Sequence, residues 1–282
     1  MLTMLTNTFA KGDINALTSK LLHSSCWQQH NVKHYGEDQL RSIPQNWLAT
    51  AGRRNVVASQ LVEQDGHMAI NLTLSADDNN HAINYTFWLE TNGEFIKSAV
   101  AMIDTPALAK ATGQDEESLI KMLPTPDAQV IVDYDQQDHL QNELAIPSHI
   151  ASLNADVALL LDAWWSIWAK SQLASIDELY DAKATIQLPG VEATQDANGL
   201  FNFVLAKYNR LSRVFAQLEH VLADDNRIAI KWYLDGDENG QRIRVPMLTM
   251  LTLQQGKIAH ELTTTDVLAF QKRYPKSFLF HG

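Results

Sequence analysis

Apolar residues in the second half of the chain recur first at helical spacing and then at strand spacing. The helical stretch carries an apolar residue every three, four or seven positions: Leu153, Val157, Leu160, Leu161, Trp164 and Trp168. Such a stripe predicts an amphipathic helix, and Asn154 near its start is a favoured N-cap residue. Two further helices are predicted at Ile176–Ala182 and Gly199–Leu211.

After these helices the apolar period changes to two, which indicates strands. Four alternating stretches follow one another, separated by turn residues: Val214–Leu222, Ile228–Leu234, Val245–Leu253 and Ile258–Thr265. Helices followed by a meander of antiparallel strands indicate an α+β fold, in which the helices pack on one face of a curved sheet.

The first half shows a similar order of elements less clearly. Helices are predicted at Met1–Ser24 and Asp38–Thr50. Four strands are predicted after them: Asn55–Gln64, His67–Leu74, His81–Thr91 and Glu94–Ile103. Residues 105–152 are predicted to form a structured connector with short helices at Pro106–Thr112 and Glu116–Leu123, because the apolar runs within this segment need burial.

The two halves contain a weak internal repeat. Gly93 and Gly256 each lie in a turn between two alternating stretches and are 163 residues apart, and the same offset relates Gly36 to Gly199. A fixed offset of this kind is typical of two copies of one design. We therefore expect a first domain at residues 1–104, the connector at 105–152 and a second domain at 153–282.

Composition and charge narrow the possible partners and location. The chain has 282 residues and a net charge of −11, which argues against a nucleic acid or an anionic membrane as partner. Its single cysteine, Cys26, cannot form an internal disulfide, and the start of the chain lacks the pattern of a signal peptide. No stretch reaches the length of apolar sequence, about 18 residues, that a transmembrane helix needs. The sequence therefore predicts a soluble cytoplasmic protein.

Several short motifs of the second half occur in an order that resembles a known superfamily. They are Leu179-Tyr180-Asp181-Ala182, Pro189-Gly190, Gly199 at a helix start, and Gly256-Lys257-Ile258 followed by Asp266. This order resembles the nuclear transport factor 2-like superfamily, in particular its SnoaL-like (polyketide cyclase-like) branch. The resemblance covers about 120 residues of the second half and reaches the divergent first half only through the repeat.

The resemblance implies a fold and a range of functions. Members fold as a cone, in which a strongly bent sheet wraps a long helix and leaves a pocket open at one end. Two such cones in tandem could pack as the subunits of a family homodimer do, so we expect a monomer with an internal pseudo-dimer or a homodimer. The superfamily includes isomerases, dehydratases, cyclases and non-catalytic binding proteins, so the fold does not select the function.

The acid–base residues of the family's enzymes have no obvious counterpart in this sequence. We find no pair of carboxylates on the face of the second-half strands that is expected to point inward. Asp266 matches the family's closing aspartate of the last strand and is expected to cap the end of that strand. His260 and His220 lie between apolar residues of their strands and are candidate catalytic base and acid. Tyr180 is a candidate hydrogen-bond donor to an oxyanion. The alternative for each is a structural side chain.

The candidate ligand-binding residues are aromatic and apolar. Trp164 and Trp168 lie on one face of the predicted helix, and Trp232 and Leu262 lie on strands expected to line the same cone. Together they would suit a small apolar or mixed-polarity molecule, although they could also be plain core.

The sequence contains two motifs that resemble metal sites, but neither has the surroundings that a metal site requires, and it contains no cofactor motif. Asp235-x-Asp237-x-Asn239-Gly240 begins like a calcium loop, but Pro246 stands where a bidentate glutamate is required, so a hairpin turn is expected. Cys26, His30 and His34 are aligned by the repeat with a loop, which argues against zinc. We expect no metal and no organic cofactor, since phosphate-binding and redox motifs are missing.

Three hypotheses remain open after the sequence analysis. The first is a binding or regulatory module without chemistry. The second is a cofactor-free enzyme for isomerisation, dehydration or cyclisation, which would use His260, His220 and Tyr180. The third is a structural or protein-interaction module whose cones are filled by side chains. The second hypothesis predicts that His260 and His220 converge on one cavity.

Overall fold

The computed structural model describes residues 1–36, 38–42, 55–76, 79–127 and 153–280. Contacts between residues divide the chain into two units. Unit 1 contains Met1–Asp127 and Thr264–Pro275, and unit 2 contains Ala128–Thr263 and Lys276–Gly282. The chain therefore returns to unit 1 near its end before it finishes in unit 2. The domain boundaries given above stay a prediction.

Unit 1 begins with two helices and continues with six strands. Its elements up to Met122 are α1 (Leu2–Lys11), α2 (Ile14–Thr18), β1 (Leu21–Gln29), β2 (Val32–Tyr35), β3 (Asn55–Gln64), β4 (His67–Ala76), β5 (Asn79–Asn92), β6 (Phe95–Ile103), α3 (Thr105–Thr112) and α4 (Glu116–Met122). The strands form one sheet in the order β2-β1-β6-β5-β4-β3, in which β1 and β6 are parallel.

Unit 2 contains a long helix, shorter helices and five strands. Its elements are α5 (Ala155–Lys170), a 3-10 turn (Leu173–Ser175), α6 (Ile176–Leu179), β7 (Tyr180–Gln187), α7 (Ala197–Arg210), β8 (Ser212–Ala223), β9 (Arg227–Glu238), β10 (Gln241–Gln254) and β11 (Lys257–Thr264). The sheet order is β7-β11-β10-β9-β8, with β7 and β11 parallel. A last helix, α8 (Val267–Arg273), belongs to unit 1.

This architecture confirms the α+β class, because helices pack against two separate and largely antiparallel sheets. Asn154 caps α5 as expected, since its Oδ1 accepts the amide of Asp156 at 2.9 Å. The helices expected at the start of the connector are present as α3 and α4. None of the helices within the described residues is long and apolar enough to cross a membrane.

Two predicted helices are shorter than expected. The helix predicted at Met1–Ser24 ends at Gly12, where the backbone is left-handed at φ 74°, and Asp13 then caps α2. The helix predicted at Ile176–Ala182 gives way at Tyr180 to β7. Each predicted helix overlaps a strand, β1 from Leu21 or β7 from Tyr180, whose residues do not alternate cleanly between apolar and polar. Of the helix predicted at Asp38–Thr50, residues 43–50 lie outside the described residues.

A further difference concerns residues 26–34, which were expected to form a loop. They belong to the β1–β2 hairpin, in which Cys26 pairs with Tyr35 and Gln29 pairs with Val32. His30 and Asn31 form the turn and both have positive φ, at 53° and 59°. Paired left-handed residues are typical of two-residue hairpin turns, and histidine and asparagine adopt this conformation more readily than most residues.

Candidate functional site in unit 2

Glu261 lies inside unit 2 and is 2% exposed. Side chains alternate along β11, so Glu261 shares a face with Thr263, and its Oε2 accepts a hydrogen bond from Trp164 Nε1 on α5 at 3.2 Å. The face of β11 that packs on the long helix is therefore the face of Glu261 and Thr263. The interior of unit 2 therefore contains a buried carboxyl that is hydrogen-bonded to a tryptophan of the long helix.

Tyr180 donates a hydrogen bond to the same carboxyl. Its hydroxyl contacts Oε2 of Glu261, and its backbone position pairs with Ile258 because β7 and β11 are parallel neighbours. Burial raises the pKa of the Tyr180 phenol well above its usual range, and the nearby Glu261 charge acts in the same direction. The phenol therefore keeps its proton and acts as a donor.

A chain of hydrogen bonds extends from Glu261 across the sheet. Thr263 donates to Glu261 Oε1 at 2.9 Å, and the hydroxyls of Thr263 and Thr249 lie 2.8 Å apart. Trp232 Nε1 donates to the Thr249 hydroxyl at 2.9 Å. This network joins a phenol, a carboxyl and two indoles, all of them buried.

Two opposing effects act on the pKa of Glu261. Burial is the larger effect and raises the pKa, because the charged carboxylate loses its hydration. Hydrogen bonds from Tyr180, Thr263 and Trp164 act in the opposite direction, because they favour the charged form. The result is a raised pKa. The raised pKa means that this carboxyl holds its proton to a higher pH than an exposed glutamate does, and a protonated carboxyl can donate a hydrogen bond or a proton.

Four tryptophans pack around this network. The ring centroids of Trp164 and Trp168 lie 5.5 Å and 5.1 Å from that of Trp232, and the centroid of Trp165 lies 6.1 Å from it. Phe203 of α7 adds an edge contact with Trp168 at 6.2 Å. The four indoles are between 0% and 5% exposed. The predicted aromatic lining is therefore a connected cluster in the interior of unit 2.

Trp168 differs from its neighbours in its polar atom. Its Nε1 is buried and has no hydrogen-bond partner in the part of the chain that the structure describes. The indoles of Trp164 and Trp232 donate to Glu261 and Thr249. An unsatisfied buried donor is costly. Trp168 Nε1 is thus the one indole donor among these three that has no acceptor within the described residues.

The two candidate histidines lie elsewhere. His260 is exposed, and its Nδ1 contacts the Thr185 hydroxyl on β7. His220 is half-buried on β8. In the sheet two strands separate β11 from β8, which corresponds to roughly 14 Å at a strand spacing of about 4.8 Å. The expected convergence of His260 and His220 on one cavity is therefore not found.

The reason for this difference is a wrong choice of face. Alternation places His260 with Ile258 and Leu262, as the sequence analysis assumed, but this face is opposite to that of Glu261 and Thr263. Leu262 is 7% exposed and lies opposite Gln187 of β7. Apolar residues occur on both faces of β11, so the pattern did not show which face meets the helix.

Glu261 is the residue that the sequence analysis missed. A charged residue among strand residues is usually exposed, and glutamate is almost never fully buried without partners. The only signal was indirect: Glu261 shares its face with Thr263, and Thr249 on the previous strand can continue a polar network. That signal has little weight without knowledge of the strand pairing.

The other polar candidates have structural roles. Asp266 Oδ1 accepts the amide of Ala269 at 3.1 Å, so this residue caps the helix α8, whereas the sequence analysis expected it to cap the end of the last strand. Asn239 and Gly240 form the turn between β9 and β10, both with positive φ. In the described ranges, no three side chains of histidine, cysteine, aspartate or glutamate come together in a way that could hold a metal ion.

Part of unit 2 is similar to a known protein family. Residues 161–261, about a third of the chain, match the family described as SnoaL-like domain. This match confirms the SnoaL-like resemblance of the second half. It extends from the middle of α5 to Glu261. The comparison with curated proteins finds no match.

Solved structures of similar proteins are distant in sequence. A proposed polyketide cyclase from Bacillus cereus is 15% identical, with a TM-score of 0.40, and the match covers 44% of this chain and 87% of that one. TsrD from Streptomyces laurentii is 14% identical, with a TM-score of 0.38, covering 43% and 97%. A protein from Catenulispora acidiphila with a ketosteroid isomerase-like fold, in complex with trimethylamine, is 15% identical, with a TM-score of 0.37, covering 40% and 90%.

Proposed function

We propose that unit 2 binds a small apolar or mixed-polarity molecule in its interior. The observation that carries this proposal is the buried Glu261, hydrogen-bonded to Tyr180 and Trp164 beside the tryptophan cluster. Trp164, Trp168 and Trp232 would contact the apolar part of the ligand. Glu261, Tyr180 and the open Trp168 Nε1 would bind its polar part.

We also propose that the chain consists of two tandem SnoaL-like domains, the first of them divergent. Both sheets place a first strand parallel to the last strand, followed by antiparallel neighbours, with β2 as an addition in unit 1. This shared order supports a duplication. A monomer with an internal pseudo-dimer or a homodimer, in the cytoplasm, remains our expectation, with no nucleic acid or membrane as partner.

A cofactor-free enzyme is the second candidate function, with isomerisation, dehydration or cyclisation as its reaction. The raised pKa of Glu261 supports this candidate, because a buried carboxyl that holds its proton more tightly than usual is a candidate general acid, and its carboxylate a candidate base. Tyr180 would then donate to an oxyanion. His260 and His220 could contribute only if the substrate reached the exposed face of β11 or the edge strand β8.

A structural or interaction module is the third candidate. The close packing of the tryptophan rings supports it, since a cluster with centroid distances of 5.1–6.3 Å can fill an interior by itself. Under this candidate Glu261 would only satisfy the indole and phenol donors. A ligand test therefore separates the first two candidates from the third.

The test is native mass spectrometry of the purified full chain and of two variants. We expect a noncovalent added mass on the wild type that is lost in Trp168→Ala and in Glu261→Gln. Leu159→Ala is the matched control, because Leu159 lies on the same helix but is 70% exposed. If no added mass appears, and no compound from a panel of small aromatic molecules raises the unfolding temperature, the binding proposal is wrong and the third candidate is favoured.

A further inference from the structure

Unit 1 contains a second buried polar network, which the proposed function does not use. It consists of Gln29 and His30 at the end of β1, Tyr85 on β5 and Asp266 at the start of α8. His30 and Asp266 are 236 positions apart in sequence, and they meet because Thr264–Pro275 belongs to unit 1.

The carboxyl of Asp266 fixes one side of the His30 ring. Asp266 is 3% exposed, and its Oδ2 contacts His30 Nδ1. Its Oδ1 accepts the Thr105 hydroxyl and the Ala269 amide, both at 3.1 Å. An ionised carboxyl can only accept, so Nδ1 of His30 must carry the hydrogen.

Gln29 fixes the other side of the ring. Its Oε1 accepts the Tyr85 hydroxyl at 2.6 Å and Trp27 Nε1 at 3.3 Å, and these two donors set the orientation of the amide. The amide nitrogen of Gln29 therefore faces His30, with Nε2 at 3.3 Å. An amide nitrogen can only donate, so Nε2 of His30 must accept. The network specifies a neutral imidazole with a lone pair on Nε2.

This arrangement has the features of a general base. The basic nitrogen is Nε2, and the carboxyl behind Nδ1 orients the ring and would stabilise the imidazolium after proton uptake. The contact from Gln29 is long for a hydrogen bond, so a better donor could replace it. The His30 side chain is 17% exposed, which gives a small molecule an approach to the ring.

We propose that His30 is the general base of a second small-molecule site, in unit 1, with Asp266 as its positioning residue. The ligand class is a small, weakly acidic hydroxyl compound such as a phenol. Its O–H displaces the Gln29 amide and donates to Nε2. The proton then moves to Nε2, the electron pair of the O–H bond stays on the ligand oxygen, and the imidazolium lies against the Asp266 carboxylate.

Three other ionisable groups of unit 1, Asp104, Tyr85 and His34, have pKa values that are shifted by burial and by neighbouring charges. Asp104 is buried, and burial raises its pKa while the charge of Asp266 adds to the effect. Burial, followed by the charge of Asp266, also raises the pKa of Tyr85. Burial and the nearby His30 lower the pKa of His34, while Asp127 acts in the opposite direction.

The direct test uses 4-nitrophenol, whose phenolate absorbs visible light. The full chain is titrated with this probe at a pH where the free phenol is mostly protonated. We expect a saturable rise in phenolate absorbance, because His30 takes the proton. His30→Asn should abolish the rise, and asparagine is chosen because it tolerates the positive φ at this position. Asp266→Asn should weaken binding at least tenfold.

The control variant is His23→Gln, since His23 is an exposed histidine on β1, the strand that leads into the His30 turn. It should bind the probe as the wild type does. Circular dichroism checks that each variant is folded. If the probe shows no saturable signal, or the signal persists in a folded His30→Asn variant, the proposal is wrong.

A second measurement does not depend on variants. Nitrogen-15 NMR of histidine-labelled wild type distinguishes the two neutral tautomers and the imidazolium. We expect His30 at neutral pH as the neutral tautomer with hydrogen on Nδ1, and a shift towards imidazolium when 4-nitrophenol is added. A hydrogen on Nε2 in the free protein would overturn the proposal.

Discussion

Asp104 and Asp266 occupy equivalent places behind the last strands of the two sheets. Asp104 comes one residue after the end of β6 and Asp266 two residues after the end of β11, and each accepts the backbone amide three positions ahead, Ala107 or Ala269, with Oδ1 at 3.1 Å. The helices that they cap are α3 and α8, and both helices pack in unit 1. Only Asp266 has further side-chain partners in the hydrogen bonds described above, namely His30 and Thr105.

This relationship predicts unequal losses of stability. Asp104→Ala should reduce the free energy of unfolding by about 1 kcal/mol, as expected for an N-cap. Asp266→Ala should reduce it by more, because the variant also leaves Thr105 and His30 without their acceptor. Urea unfolding measures both losses. Asp115→Ala, at the exposed cap of α4, is the control, and equal losses for Asp104 and Asp266 would contradict the prediction.

Removal of the Trp168 ring should destabilise unit 2 strongly. Trp168→Ala deletes a side chain that is 1% exposed and packs on Trp232 and Phe203, so the free energy of unfolding should fall by about 3–5 kcal/mol. Leu159→Ala on the same helix should change it by less than about 0.5 kcal/mol. A loss below about 1 kcal/mol for Trp168→Ala would show that the ring does not support the core.

Glu261→Gln should change how stability depends on pH. Burial raises the pKa of Glu261 in the folded state, so its contribution to stability is fully present below the pKa of the unfolded chain. That contribution is lost as the pH rises through the folded pKa. A glutamine does not ionise, so the stability of the variant relative to wild type should increase from pH 4 to pH 8. Urea unfolding across this range measures the difference, and a constant difference would contradict a raised pKa.

The sequence allowed the fold to be predicted better than the site. The period-two stretches of the second half correspond to β8–β11, because an antiparallel sheet with one face in the core leaves a regular pattern. β1 was missed, since polar residues such as His23 and Ser24 interrupt any alternation at its start. Residues of the unit 1 network, such as His30 and Asp266, could not be paired from sequence, because their contact depends on the return of the chain to unit 1.

Trp164, Trp168 and Trp232, the predicted ligand-binding tryptophans, are buried in unit 2, and their role as ligand contacts stays a prediction, whereas Glu261 was not identified at all. Large aromatic residues at helical spacing predict burial directly, since little else can cover so much apolar surface. The buried Glu261 depends instead on two donors from other elements, Tyr180 and Trp164, together with Thr263 of its own strand. These donors meet at the Glu261 carboxyl only in the folded chain, so no local sequence pattern could predict the contact.

Arg244 and Asp235 form a buried ion pair, so the effect on stability of replacing one side chain should depend strongly on whether the other is present. Arg244 Nε lies 3.4 Å from Asp235 Oδ1, and the guanidinium stacks on Tyr233 at 4.0 Å from the ring centroid. Burial raises the pKa of Asp235 to about 6, while Arg244 and then Arg242 act in the opposite direction. Removal of Arg244 would leave the Asp235 carboxylate buried without its main cation.

We therefore expect Arg244→Met to reduce the free energy of unfolding by about 3–5 kcal/mol at pH 8. The reduction should be smaller at pH 4.5, because Asp235 then holds its proton and carries no charge. The double variant with Asp235→Asn should lose less than the sum of the single losses. Additive losses at pH 8 would show that the two side chains do not interact.

The buried Lys207 should affect how the stability of the protein depends on pH above pH 8. The residue is 8% exposed, its Nζ donates to the backbone oxygen of Leu279, and it lies over the Phe203 ring at 4.5 Å. Burial lowers its pKa to about 8, and the charge of Arg210 adds to this effect while Glu238 opposes it. The folded protein therefore releases a proton that the unfolded chain still binds.

The sign of the effect follows from this difference in proton binding. Between pH 8 and about 10.5 the unfolded chain holds more protons at Lys207 than the folded protein does, so this residue should make stability rise with pH. Buried tyrosines such as Tyr208, whose pKa is raised by burial, act in the opposite direction only above about pH 10. The clearest window is therefore pH 8 to 9.5.

The measurement compares the unfolding temperature of wild type and Lys207→Met across that window. The temperature of the wild type relative to the variant should rise with pH, because methionine keeps the apolar packing and cannot titrate. Lys170→Met is the matched control, since Lys170 is exposed at the end of α5 and should leave the wild-type pH profile unchanged. If the difference between wild type and Lys207→Met stays constant from pH 8 to 9.5, the amine keeps its proton in the folded protein and the lowered pKa is wrong.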